Sequence, residues 1–172
     1  MTPRKQGTAA FVKAADTRTD PSKSRSDIET MLRRYGAVGF NFAVDLEKDT
    51  VTVSFMLPDS PKPNAPRVPV TLPVEIRRVY HALYGKPGTG ADYSEARMRQ
   101  AERVAWRNLV LWIDAALSAA SIGVQTITEA FLAHTVVVRD DGRQQWMMDY
   151  LNDTGGALPS GARALLPAVV AE

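Results

Sequence analysis

The sequence predicts an α+β domain in which a three-stranded antiparallel sheet packs against helices, one of them long and central. Three observations lead to it. Apolar and polar residues alternate with a period of two in three segments between Phe40 and Leu72; stripes of apolar residues at helical spacing stand on either side of those segments; and one uninterrupted helical pattern runs from about Ser94 to Ser121.

The elements follow in order. Ser26 with Glu29 three residues on is a capping-box pattern, so the folded domain is expected to start there, and Ile28, Met31, Leu32 and Tyr35 form one stripe that Gly36 ends. Phe40, Phe42, Val44 and Leu46 then share one side of a strand, Glu47-Lys48-Asp49 turns, and Val51, Val53, Phe55 and Leu57 repeat the pattern in a hairpin. Four prolines within residues 58–67 break any ladder there. Val68, Val70 and Leu72 resume the alternation as a third strand, which Pro69 and Pro73 mark as an edge. Pro73 also suits the first turn of a helix carrying Ile76, Val79, Tyr80 and Leu83 until Gly85. After the long helix ends at Gly123, Thr126 and Glu129 make a second capping box for a short helix through Phe131 and Leu132. Val136–Val138 reads as a strand, Asp141-Gly142 as a turn, and Trp146, Met147, Tyr150 and Leu151 as a last helix.

The predicted organisation is a disordered basic tail over 1–25, one domain over 26–167 and a flexible C-terminus over 168–172. With 172 residues, 45% of them hydrophobic, the chain can bury a core without a covalent staple. It has no cysteine, so disulfides, thiolate metal sites and cysteine nucleophiles are excluded, which fits a reducing cytoplasm. No stretch matches a signal peptide or a membrane span, so a soluble, cytoplasmic protein is expected. Net charge is +2, but Arg4, Lys5, Lys13, Arg18, Lys23 and Arg25 outnumber Asp16 and Asp20 in the tail. Such an arm can meet phosphates without reading sequence, or simply keep the terminus soluble.

On the long helix, a projection at helical spacing places Met98, Ala101, Ala105, Leu109, Trp112, Ile113 and Ala116 on one arc and Arg99, Arg103 and Arg107 on another. Three guanidiniums beside Trp106 are the cation-and-ring combination that grips single-stranded nucleic acid; the alternative is a solvated face with ion pairs to Glu95, Glu102 and Asp114. Glu102 falls inside the apolar arc, where a carboxylate must be paired, hydrogen-bonded or protonated, and it is the one anomalous buried carboxylate expected. Gly85–Gly90 lacks the GK[ST] entry into a helix that phosphate binding by a P-loop needs. His81 and His134 are the only histidines and form no metal-ligand pattern, so neither metal, cofactor nor catalytic residue is expected. The acids near Lys48 do not have nuclease spacing. Phe40, Phe42 and Phe55 lie on the valine and leucine side of their strands, so the sheet offers no base-stacking platform.

Tyr35-Gly36-Ala37 before the hairpin, Trp106-Arg107 in the long helix, Phe131-Leu132-Ala133-His134 and the turn Asp141-Gly142-Arg143 together resemble a widespread family of small proteins from tailed phages and prophages, over about residues 26–167. These are structural motifs rather than catalytic ones. Asp114–Ala119 departs from the charged residues that the family tends to carry there. The resemblance implies a phage accessory protein of replication or recombination, at work in the cytoplasm of the bacterial host. Joined to the basic stripe, it gives the expectation of a non-enzymatic protein that binds single-stranded or unwound DNA through Arg99, Arg103, Arg107, Trp106, Lys5, Lys13 and Lys23. The rival expectation is a module that docks on a host or phage replication protein through Trp146, Met147 and Met148 or the proline-rich loop, with a homo-oligomer open to either.

Overall fold

In the computed structural model, which describes residues 12–60, 62, 64–88, 92–139 and 141–153, the alternating segments form one antiparallel sheet. Its strands are β1 (Gly39–Asp45), β2 (Thr50–Pro58) and β3 (Arg67–Glu75), in the order β1-β2-β3. Val51, Val53, Phe55 and Leu57 of β2 and Val68, Val70 and Leu72 of β3 are buried, as a period of two requires when one face meets a core. On the other face Ser54 and Thr71 share a hydroxyl hydrogen bond of 3.2 Å across neighbouring strands. The Asp45 carboxylate accepts from the backbone N–H groups of Glu47 and Lys48, which fixes the β1–β2 turn.

Helix starts differ in places from the sequence expectation. Helix α1 spans Pro21–Arg34, not from Ser26, because Asp20 acts as the cap: its carboxylate accepts the Ser22 N–H at 2.8 Å, and Pro21 occupies the first position, where no N–H is needed. Ser26 is therefore interior, and its carbonyl accepts from the Thr30 hydroxyl. Helix α2 spans Ile76–Tyr84 rather than beginning at Pro73, which stays in β3. The Ile76 N–H donates to the Asp49 carbonyl at 2.7 Å and Arg77 pairs with the Asp49 carboxylate, so the hairpin turn holds the start of α2.

Helix α3 (Glu95–Ser121) is the long element, and it ends as α1 does. Ala37 donates to Leu32 and Gly36 to Arg33 at the end of α1; Val124 donates to Ala119 and Gly123 to Ala120 at the end of α3. Both closures place a glycine at positive φ, 78° at Gly36 and 75° at Gly123, a conformation that costs a residue with a Cβ more. Helix α4 (Ile127–Phe131) carries the expected capping box and runs into a short 3₁₀ turn at Leu132–His134. The hairpin of β4 (Val136–Val138) and β5 (Gln144–Trp146) follows, with Val136 opposite Trp146. Trp146 thus ends a strand, and the last helix, α5, covers Met147–Asp153.

The chain forms two compact units, one of Met1–Met31, Phe42–Val53 and Pro73–Asp114, the other of Leu32–Asn41, Ser54–Leu72 and Ala115–Glu172. In the first, Ile28, Val53, Tyr80, Val104, Trp106, Leu109 and Ile113 are buried. In the second, Phe55 meets Phe131 edge to face at 5.4 Å, and Leu57, Val70, Leu117 and Ile127 are buried. Val137 and Met147 form a smaller buried cluster there with Leu132, Tyr150 and Leu151. No helix among the described residues is long and apolar enough to cross a membrane. Residues 1–11 of the expected tail, with Lys5, and the expected flexible terminus at 168–172 lie outside the described residues.

The capping box on α4 gives a direct test. Thr126→Ala removes the acceptor of the Glu129 N–H and is expected to destabilise the fold by about 1 kcal/mol, read as a lower midpoint in urea unfolding at unchanged slope.

Candidate nucleic-acid interface

The face of α3 that carries Arg103 and Arg107 is laid against the chain's own N-terminal segment. The Gln100 amide donates to the carbonyls of Ala15 (3.0 Å) and Thr17 (2.9 Å), and the Asn108 amide donates to that of Lys13 (2.9 Å). The part of the expected tail from residue 12 onward is therefore held: it forms a turn, lies along α3, and leads into α1. Side-chain amides spaced at two turns of α3 are what anchor it.

The guanidiniums of the expected stripe have local work. Arg99 pairs with Glu95 one turn earlier. Arg103 donates twice to the Gln100 side-chain oxygen, at 3.0 and 2.6 Å. Arg107 reaches the Asp27 carboxylate at 3.3 Å, and Lys23 holds the other oxygen of Asp27 at 2.7 Å. A phosphate would have to displace these partners. Trp106 corrects the expectation most sharply, because its side chain is buried at 1% exposure and cannot stack on a base. Phe42 meets its ring edge to face at 5.9 Å, and the Arg25 guanidinium lies 5.5 Å from its centre. Trp112, expected in the apolar arc, is instead 38% exposed, so the buried side of α3 is turned toward Trp106 and Val110.

Glu102 is half-buried rather than enclosed, and its carboxylate makes no hydrogen bond or ion pair with another described residue. Among the described residues no three His, Asp or Glu side chains are grouped to hold a metal ion. Burial holds the His134 imidazole below its usual pKa. His81 shares a 2.9 Å hydrogen bond with the Tyr93 hydroxyl, and the two rings stack with centres 5.8 Å apart.

His81 opens onto a cluster that the sequence reading passed over. Tyr80 is the buried hub, meeting Tyr84 at 5.2 Å and Tyr93 at 5.1 Å, both edge to face. Two guanidiniums lie over the outer rings: Arg97 over Tyr84 at 5.2 Å and Arg77 over Tyr93 at 5.4 Å. Tyr84, Arg97 and Lys86 are exposed. Arg97 and Lys86 have no ion pair among the described residues, whereas Arg77 is held by Asp49 and Arg78 by Glu75. Tyr80 and Tyr84 at i and i+4 on α2 were legible as a pair, but only folding brings Tyr93 and Arg97 to them from across the Gly-rich loop.

In the second unit, an open groove of about 950 Å³ lies among Arg34, Tyr35, Pro58, Asp59, Val124 and Ile127. Its carboxylates are occupied, since Asp59 accepts the N–H and hydroxyl of Thr128 and Glu129 accepts the Thr126 N–H. A shallower trough of about 630 Å³ has Ser54 and Thr71 with Val38, Met56, Val136 and Val138. Of the residues expected to dock a protein, Trp146 and Met148 are exposed and Met147 is buried, its N–H donated to the Thr135 carbonyl at 2.8 Å. No protein-family model, no curated protein and no solved structure matches the chain.

Trp106→Ala is expected to cost about 3–5 kcal/mol, as truncation of a fully buried ring does, and Trp106→Phe clearly less; chemical denaturation of both variants measures this. A second expectation concerns pH. Hydrogen bonds from the Ser22 side chain and then its backbone, with Arg25 and Arg103 nearby, hold the Asp20 carboxyl below the ordinary carboxylate range. A depressed folded pKa means that the cap's contribution is complete above the unfolded value and is lost as pH falls through the folded one. The Asp20 carboxyl carbon, followed by NMR, should accordingly titrate at lower pH than a free aspartate.

Proposed function

We propose that the protein is a non-catalytic phage accessory factor that holds single-stranded or unwound DNA in the host cytoplasm, with Tyr84, Tyr93, Arg77, Arg97 and Lys86 as its contact surface. The observation that carries this reading is the pair of guanidiniums, Arg77 of α2 and Arg97 of α3, lying over tyrosine rings. Single strands are gripped without sequence readout where bases can stack on aromatic or guanidinium planes and cations meet the backbone; each stacked base is worth about 1–3 kcal/mol. Tyr84 and Arg97 supply one such plane, and Lys86 an exposed charge beside it. The face of Arg103 and Arg107 becomes secondary, because Gln100 and Asp27 already engage those groups.

Fluorescence anisotropy of a labelled oligothymidylate, titrated with the full chain over a salt series, tests the reading. Binding is expected to weaken with salt with a slope of about −2, as for about three neutralised phosphates on a single strand. Tyr84→Ala with Arg97→Ala is expected to weaken it by about tenfold or more, and Arg103→Ala to change it little. Absence of binding at low salt would refute the proposal.

A second reading has its own observation. Val136, Val138, Gln144 and Trp146 share one face of the β4–β5 hairpin, where Val138 and Trp146 are exposed beside exposed Met148. An apolar patch with a tryptophan is the composition of a protein-docking hot spot, here for a host or phage replication protein. Val138→Asp and Trp146→Ala would then abolish that association and leave oligonucleotide binding unchanged.

A further inference from the structure

The two edges of the three-stranded sheet are protected unequally. Edge strands expose unpaired N–H and C=O groups, and proteins blunt them with proline, lysine or a covering segment. β3 has two of these devices: Pro69 and Pro73 lack the N–H, and Val70 bridges Thr135. β1 reads Gly-Phe-Asn-Phe-Ala-Val-Asp and has neither proline nor a basic residue along its seven positions. The Val38 N–H donates toward β2, to the Met56 carbonyl, so by the alternation of a strand it is Gly39, Asn41, Ala43 and Asp45 whose backbone groups point outward. All four of those residues are exposed.

We infer that β1 is a self-pairing edge, where a second copy of this chain adds its own β1 antiparallel about a two-fold axis at Phe42. Phe42 is the central residue of the strand. That register sets Asn41 against Ala43 of the second copy as a hydrogen-bonded pair, using the outward groups of both, and Gly39 against Asp45, so no like charges face each other. It also sets Phe40 against Val44, and just beyond the strand ends Leu46 against Val38. Val44 and Leu46 are 43% and 84% exposed in the single chain, and the pairing gives both an apolar neighbour. A contact that uses the same patch on both copies is isologous and closes as a dimer, so it does not propagate into fibres. The resulting sheet would be continuous across the axis, with the protected β3 edges outermost.

The chain has no cysteine, which makes the register readable by cross-linking. In the full chain, the double variant Asn41→Cys/Ala43→Cys is expected to form a covalent dimer on oxidation, since hydrogen-bonded pairs place their Cα atoms about 5.5 Å apart, within disulfide reach. Asn41→Cys alone, which faces no cysteine in this register, is expected to stay uncrosslinked. By sedimentation velocity the wild type should run as a dimer. Ala43→Pro, which removes an outward N–H only, and Val44→Lys should both run as monomers with unchanged helical circular dichroism and melting. A wild type that is monomeric at high concentration overturns the inference, as does a dimer that survives Ala43→Pro and Val44→Lys or one that the double cysteine variant fails to lock.

Discussion

The burial of Trp106 is the constraint on which the first unit depends. An indole in the middle of a long helix removes a large apolar surface from water only if something covers that side of the helix, and here Phe42 and the Arg25 guanidinium do so. The neighbours of Trp106 on α3 are then drawn into the same cover. Arg107 turns to Asp27 on α1, Asn108 to the Lys13 carbonyl, and Gln100 to Ala15 and Thr17. A residue that read as an exposed stacking ring is in fact sealed, and the cations beside it are occupied.

This rearrangement changes what the positive charge of the chain is available for. The cations nearest Trp106 are joined to acids and amides of α1 and α3, in partly solvated pairs whose individual contributions are small, and of these the Arg107–Asp27 pair ties α3 to α1. Cations at the other end of α3 have different surroundings. Arg97 rests on an exposed tyrosine ring and Lys86 on the Gly-rich loop, with no carboxylate partner among the described residues. Accessibility, rather than count, therefore sets the tyrosine cluster apart from the cations beside Trp106.

The fold itself was largely legible. Alternation identified all three strands and the buried faces of β2 and β3, since a strand with one face in a core has no other way to distribute its side chains; on β1 Phe40 and Phe42 are half-buried, whereas Val44, expected on the same inward side, is exposed and Leu46 lies in the turn beyond the strand. The glycines at 36 and 123 and the box at Thr126 and Glu129 marked helix ends, because those signals act through neighbouring backbone groups. The start of α1 was misplaced when the Asp20-Pro21 signal was passed over for Ser26 and Glu29, although both patterns stand in the same short stretch. The site was much less legible. Glu102 was expected to be enclosed and is half-buried, and Trp106 and Trp112 exchanged roles, because a projection of α3 assumes one buried side whereas covering from α1 and the N-terminal segment adds a second.

Sequence by itself determined the three strands of the main sheet, the helices and the inward faces of β2 and β3, since each of these follows from spacing along the chain and from interactions a few residues in reach. Tertiary structure alone decided which guanidiniums are spent on Asp27 and Gln100, which ring is sealed at Trp106 and which is open at Tyr84, and which sheet edge is bridged by Thr135. Those outcomes depend on distances between residues dozens of positions apart, and no local pattern encodes whether a charge or a ring will find a partner from the far end of the chain before it finds water.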